Sequence, residues 1–153
     1  MHDLQKLLKT FNSKGYAEQS AVYLEQPDKS KRLELVDGDY KYIDFFWGGE
    51  PYGGTEMIFF QEKPVLYIAY YGWVRENADF GAAYTFLRNS LKEGVKSQST
   101  LHRGPECYKD GDYVYTNSVK GTIENFELVE RIFLGEVEIY SAKFMGGLID
   151  VQK

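Results

Sequence analysis

One cysteine, Cys107, stands in the 153 residues of the sequence, so no intrachain disulfide can form and the chain suits a reducing compartment. Cys107 has no second Cys at ligand spacing. His102, the one histidine outside the extreme N-terminus, stands alone, so zinc and other metals are not predicted. Positive charge is also scarce. Lys and Arg total 18 against 23 Asp and Glu, which gives a net charge of -5. A nucleic-acid site needs a basic stripe, because phosphate contacts dominate its affinity. The basic cluster of Lys29, Lys31 and Arg32 is flanked by Asp28 and Glu34 and reads as a solvated loop. The strongest apolar run, residues 64–74, is too short for a membrane-spanning helix and rich in Tyr. Residues 1–6 show no basic segment leading into an apolar one, so no signal peptide is predicted. These absences predict a cytoplasmic protein that binds neither nucleic acid nor membrane.

Catalytic signatures are missing too. There is no Gly-x-Ser-x-Gly elbow, no His-Glu-x-x-His and no Cys-x-x-Cys. Residues 48–54 are Gly-rich but lack the Lys-Ser/Thr ending of a phosphate loop. They read as a flexible, aromatic-flanked loop of the kind that can act as a lid, with Trp47 and Tyr52 as its contact residues.

What the chain has in excess is aromatic side chains. They make up 16% of the residues, with 13 Tyr, 10 Phe and 2 Trp alongside 15 Gly, and this argues against disorder and against a simple helical bundle. At this length one domain can bury roughly 70% of its unfolded surface. Asp3 is a good N-cap for a helix carrying Leu4, Leu7, Leu8 and Phe11, which Gly15 would end in a left-handed conformation. A second helix starts after Asp79, carries Phe80, Ala83, Tyr84, Leu87 and Leu91 on one stripe with Phe86 off it, and closes at Gly94. Strands are predicted at residues 40–47, 56–61, 64–74, 113–119, 130–134 and 137–145, with an extra one at 20–25.

The two strand regions resemble each other. Gly38-Asp39-Tyr40 matches Gly111-Asp112-Tyr113, Tyr42 matches Tyr115, Asp44 matches Asn117 and Gly48 matches Gly121 at one offset. After a one-residue gap, Glu56 matches Glu130, Ile58 matches Ile132, Tyr70 matches Phe144 and Gly72 matches Gly146. Each unit follows a helix. The expectation is a single α+β domain over residues 1–153, internally duplicated at about 3–74 and 79–149. Two helix-plus-three-strand units would form an antiparallel sheet or a partly closed barrel, with two helices packed on it.

Alternation sorts the strand faces. Tyr40, Tyr42, Asp44 and Phe46 share one face. Val65, Tyr67, Ala69, Tyr71 and Trp73 alternate with Leu66, Ile68, Tyr70 and Val74, and this central strand is expected to be covered on both sides. A cleft between two equivalent halves, walled by Tyr and Trp, suits a small-molecule ligand. The candidate ligand-binding residues are Tyr42, Asp44, Trp47, Glu56, Tyr71, His102, Arg103, Tyr115 and Glu130. Asp44, Glu56, Arg103 and Glu130 would orient the ligand. The alternatives are a protein-interaction module or homodimer, and, less favoured, an acid-base enzyme using the paired carboxylates Glu56 and Glu130 with His102. No catalytic residue and no cofactor is assigned.

Several short segments also resemble a bacterial family of unknown function. They are the run 38–44, Gly48-Gly49-Glu50, Gly54-Thr55-Glu56, Tyr70-Tyr71-Gly72, Phe86-Leu87, Arg103-Gly104-Pro105, Gly111-Asp112-Tyr113 and Phe144-Met145-Gly146-Gly147. The likeness runs from about Gly15 to Ile149. Similar domains occur fused behind XRE-type helix-turn-helix DNA-binding domains, whereas here one predicted helix precedes Gly15. The resemblance implies no known activity, and where members carry His this chain has Met145.

Overall fold

Asp3 opens helix α1 (Leu4–Lys14) in the computed structural model, which describes residues 3–18, 20–97 and 100–152. Its carboxylate accepts from the backbone N–H groups of Gln5 and Lys6 at 3.0 and 3.3 Å. Leu7, Leu8 and Phe11 are buried, as the spacing predicts. Gly15 ends the helix with φ of -91°, not in the expected left-handed region. Packing accounts for glycine there, since a Cβ would press on the Leu33 side chain at 3.2 Å.

Helix α2 (Phe80–Lys96) is capped by Asp79, which accepts from Ala82 N–H at 3.0 Å. It runs past Gly94 to Lys96, so the predicted stop is corrected. Its buried face is Ala83, Phe86, Leu87, Ser90, Leu91 and Gly94, whereas Phe80 is 59% exposed. Phe86 is drawn in by the rings of Tyr108 and Tyr113, at 5.6 and 5.1 Å.

The strands are β1 (Leu24–Glu25), β2 (Lys31–Asp37), β3 (Tyr40–Gly48), β4 (Tyr52–Phe60), β5 (Lys63–Val74), β6 (Cys107–Asp110), β7 (Tyr113–Thr122), β8 (Asn125–Leu134) and β9 (Val137–Leu148). They form one sheet in the order β1-β2-β3-β4-β5-β9-β8-β7-β6, every pairing antiparallel. Two meanders meet at the β5–β9 pairing. Among the described residues no pairing joins the edge strands β1 and β6, so the sheet is open and the barrel alternative does not form. The class is α+β.

Three local readings are corrected. Lys31 and Arg32 belong to β2, a strand whose one buried residue is Leu33. Residues 52–54 are the start of β4 rather than a loop, held by pairing to both neighbours, so the loop shrinks to residues 49–51. The central strand β5 is covered on one side alone. Its outer residues Tyr67, Tyr71 and Trp73 are 38%, 53% and 37% exposed.

Both helices lie against the inner face, and the core joins Leu8 and Phe11 of α1, Leu87 and Leu91 of α2, and inward side chains from β3 to β9. Cross-strand register builds two rows on this face. One runs Asp44, Glu56, Ile68, Gly146, Phe126, Gly121. The other runs Asn117, Glu130, Ala142, Gly72, Tyr52, Gly48. Each carries an acid one strand in from a polar residue, and this arrangement sets the site.

Candidate functional site

The alternation of β3 and β4 turns Tyr42, Asp44 and Phe46 to the helices and puts Glu56 opposite Asp44. Both acids are buried, at 6% and 3% exposure. Asp44 Oδ1 accepts from the Tyr70 hydroxyl at 2.6 Å and Oδ2 from the Tyr23 hydroxyl at 3.0 Å. Gly54 makes this reach available, because a Cβ there would lie 2.7 Å from the Tyr70 oxygen. Glu56 Oε1 accepts from the Tyr42 hydroxyl, and its Oε2 lies 2.9 Å from His102 Nε2.

The second row carries a matching cluster. Glu130 is fully buried and accepts from Arg103 Nη2 at 2.6 Å, Arg103 Nε at 3.1 Å, Tyr115 at 2.7 Å and Tyr140 at 2.8 Å. Charge-assisted bonds of this kind are about twice as strong as neutral ones. The loop before β6 thus divides between the two acids, with His102 turned to Glu56 and Arg103 to Glu130.

That loop is held from three sides. Asn117 Nδ2 donates to the carbonyls of His102 and Gly104 at 2.8 Å each. Gly104 N–H donates to the Tyr115 hydroxyl at 3.0 Å, and the Thr100 hydroxyl donates to the Gly104 carbonyl at 2.8 Å. Helix α2 presses on it at Gly94, where a Cβ would stand 2.1 Å from the Arg103 carbonyl oxygen. Arg103 sits at φ of 68°. A left-handed non-glycine residue costs roughly 1–2 kcal/mol, which the buried ion pair and these anchors offset.

Burial, and then the facing Glu56 charge, push the Asp44 carboxyl up to about 7. Burial also acts to raise Glu56, but His102, with Arg103 and Tyr42, outweighs it and holds this carboxyl below the usual range. Tyr42, Tyr70, Tyr115 and Tyr140 are pushed well up by burial and the adjacent carboxylates, so they stay protonated donors. Burial disfavours the Arg103 charge, yet Glu130 outweighs it and drives the guanidinium well above its ordinary value. Chemically, the site offers one carboxyl that exchanges a proton near neutrality beside a carboxylate–imidazole pair.

A cavity of about 190 Å³ opens beside these groups, between both helices and the sheet. Asp44, Phe46, Tyr52, Glu56, Tyr70 and Phe144 line it from the strands. Asn12 and Tyr16 line it from α1 and the turn after it, Tyr84 and Arg88 from α2, and Arg103 from the loop. Of the nine residues singled out in the sequence, Asp44, Glu56 and Arg103 reach this cavity. Tyr42, His102, Tyr115 and Glu130 are buried in the hydrogen-bond network behind it.

Trp47 and Tyr71 are on the wrong face. Each follows an inward residue, Phe46 or Tyr70, so strand alternation turns it outward. Trp47 is 43% exposed and donates from Nε1 to the Asp28 carbonyl at 3.1 Å, while Tyr71 packs beside Trp73 on the outer surface. Sequence reasoning missed Tyr16, Tyr23, Tyr70, Tyr84, Arg88 and Tyr140. Two signals pointed to some of them. Tyr84 and Arg88 stand one helical turn apart, and the expected repeat aligns Tyr70 with Phe144, which also lines the cavity.

Among the described residues no group of three or more His, Cys, Asp or Glu could hold a metal ion. No helix among them is long and apolar enough to cross a membrane. No curated protein and no solved structure matches the chain. A family profile described as a domain of unknown function (DUF5680) does match, over residues 44–149. Its span opens at Asp44 and takes in Glu56, His102, Arg103, Glu130 and the strands and helix that position them. More than two thirds of the chain is covered, and the chain belongs to the DUF5680 family.

Proposed function

We propose that this protein is a small-molecule-binding or sensing domain whose ligand occupies the cavity beside Asp44. The observation that carries the reading is the convergence of six aromatic rings, two buried acids and two arginines on one space of about 190 Å³. Ligand sites are mostly apolar walls with a few placed polar groups. An engineered apolar cavity of about 150 Å³ takes benzene, so this one has room for a single ring. The likeness to domains fused behind helix-turn-helix modules suits a sensor.

A thermal-shift screen against metabolites and single-ring aromatics tests this. A ligand at a hundred times its Kd stabilises by about 2.7 kcal/mol, well above detection. No stabilisation by any compound at high excess would remove the reading.

A second reading is acid-base catalysis, favoured by the 2.9 Å contact of His102 with Glu56 and by His102 Nδ1, which is buried and, among the described residues, without a hydrogen-bond partner. Nuclear magnetic resonance of a bound ligand over hours separates the two. An unchanged ligand supports sensing, and a converted one supports catalysis. A homodimer would use the outer face, where Trp47, Tyr71, Trp73 and Met145 are exposed, and sedimentation at high concentration checks it. We also read the two meanders as products of duplication, supported by the Asp44–Glu56 and Asn117–Glu130 rows.

A further inference from the structure

The cavity has two poles of opposite charge. At one wall stand Asp44 and Glu56, two buried acids, and the imidazole of His102 contacts Glu56. Each Asp44 oxygen accepts one tyrosine hydroxyl, which leaves further lone-pair capacity on a carboxylate that can take about four hydrogen bonds. The charges that act on it are those of Glu56 and Arg103, and Arg103 is already committed to Glu130 at 2.6 Å. This pole is short of positive charge.

At the other wall stands Arg88, on α2. Among the described residues it makes no ion pair and no hydrogen bond. Its guanidinium lies over the Tyr16 ring, 5.0 Å from the centroid. An arginine fork that lines a cavity without a carboxylate partner matches a planar acid group. A purely cationic ligand would meet Arg88, and a purely anionic one would meet Asp44 and Glu56. A neutral ligand would leave both poles unanswered. Between the poles the walls are rings, and the volume fits one ring.

We propose that the ligand is a small zwitterion of the single-ring aromatic amino-acid class, its ammonium group on Asp44 and Glu56 and its acid group on Arg88. This rests on the reading of the cavity as a ligand site. The body would pack between Phe46, Tyr70 and Phe144, where aromatic faces also favour an adjacent cation.

The test is titration calorimetry on the intact protein at pH 8 with four probes. These are L-phenylalanine, phenethylamine (amine only), 3-phenylpropionate (acid only) and p-cresol (neutral). L-Phenylalanine should bind at least ten-fold more tightly than either half-probe. Arg88→Met should weaken L-phenylalanine at least ten-fold and leave phenethylamine equal or stronger. Asp44→Asn should weaken L-phenylalanine similarly and leave 3-phenylpropionate equal or stronger. A circular-dichroism melt checks that each variant folds, and the Arg88 arm decides alone if Asp44→Asn does not. Equal binding of phenethylamine and L-phenylalanine, absence of the crossed variant effects, or p-cresol as the sole binder overturns the zwitterion while keeping the cavity as a ligand site. No binding by any of the four also overturns the zwitterion, and the ligand-site reading is then decided by the thermal-shift screen.

Discussion

Asp44 and Glu56 are cross-strand partners on β3 and β4, both buried, yet a single imidazole, His102, serves the pair, and it sits on Glu56. Like charges this close cannot both ionise freely, so the environment separates them. Glu56 holds its charge and Asp44 keeps its proton to about pH 7.

The separation has a signature in stability. The folded state binds the Asp44 proton more tightly than the unfolded chain, where its value is 3.8. That contribution is fully present below about pH 4 and is lost as pH rises through 7, by at most about 4 kcal/mol. Glu56 acts in the opposite sense: its contribution is present above its unfolded value of 4.5 and fades as pH falls. Urea melts from pH 4 to 8 should show Asp44→Asn gaining on the wild type between pH 4 and 7, with the acid limb kept. Parallel curves would contradict this.

The Arg103–Glu130 pair is the second axis. Glu130→Gln leaves a buried guanidinium without its counter-ion, and breaking such a pair typically costs about 3–5 kcal/mol. Arg103→Met should cost a similar amount, while the double variant should lose clearly less than the two effects added. Denaturant melts of the four proteins measure the coupling.

Gly94 fixes how closely α2 approaches the Arg103 loop. Gly94→Ala should destabilise by about 1–3 kcal/mol and weaken ligand binding, because the new Cβ meets backbone rather than a movable side chain. Gly81→Ala is the matched control. Its Cβ would touch the Asp79 side chain alone, at 3.4 Å, so stability should change by less than about 1 kcal/mol.

Adjacent tyrosines should behave oppositely. Tyr70→Phe removes the hydroxyl on Asp44 and should cost about 1.5–3 kcal/mol when Asp44 is ionised, with altered ligand affinity. Tyr71→Ser, on the outer face, should leave affinity unchanged and stability within about 1 kcal/mol. Melting curves and calorimetry on both variants check the face assignment.

Local signals carried much of this fold. The caps at Asp3 and Asp79 were legible because their chemistry lies within a few residues. Strand β2 was hidden because six of its seven residues are not buried, and β6 because it is a four-residue edge strand. In the site, the likeness of Glu56 to Glu130 picked out both acids. Alternation separated Tyr70 from Tyr71, but with aromatics on both faces it left open which face is the inner one. The partner of Arg103 was beyond reach as well, since the ion pair joins a loop to β8 through tertiary packing.

The central claim is that the cavity beside Asp44 is the ligand site. A crystal structure of the protein soaked with a saturating single-ring ligand from the thermal screen tests it most directly. The account predicts ligand density bounded by Tyr16, Asp44, Tyr70 and Arg88. Density on the outer face beside Trp47 and Tyr71, with solvent alone in the cavity, would contradict it.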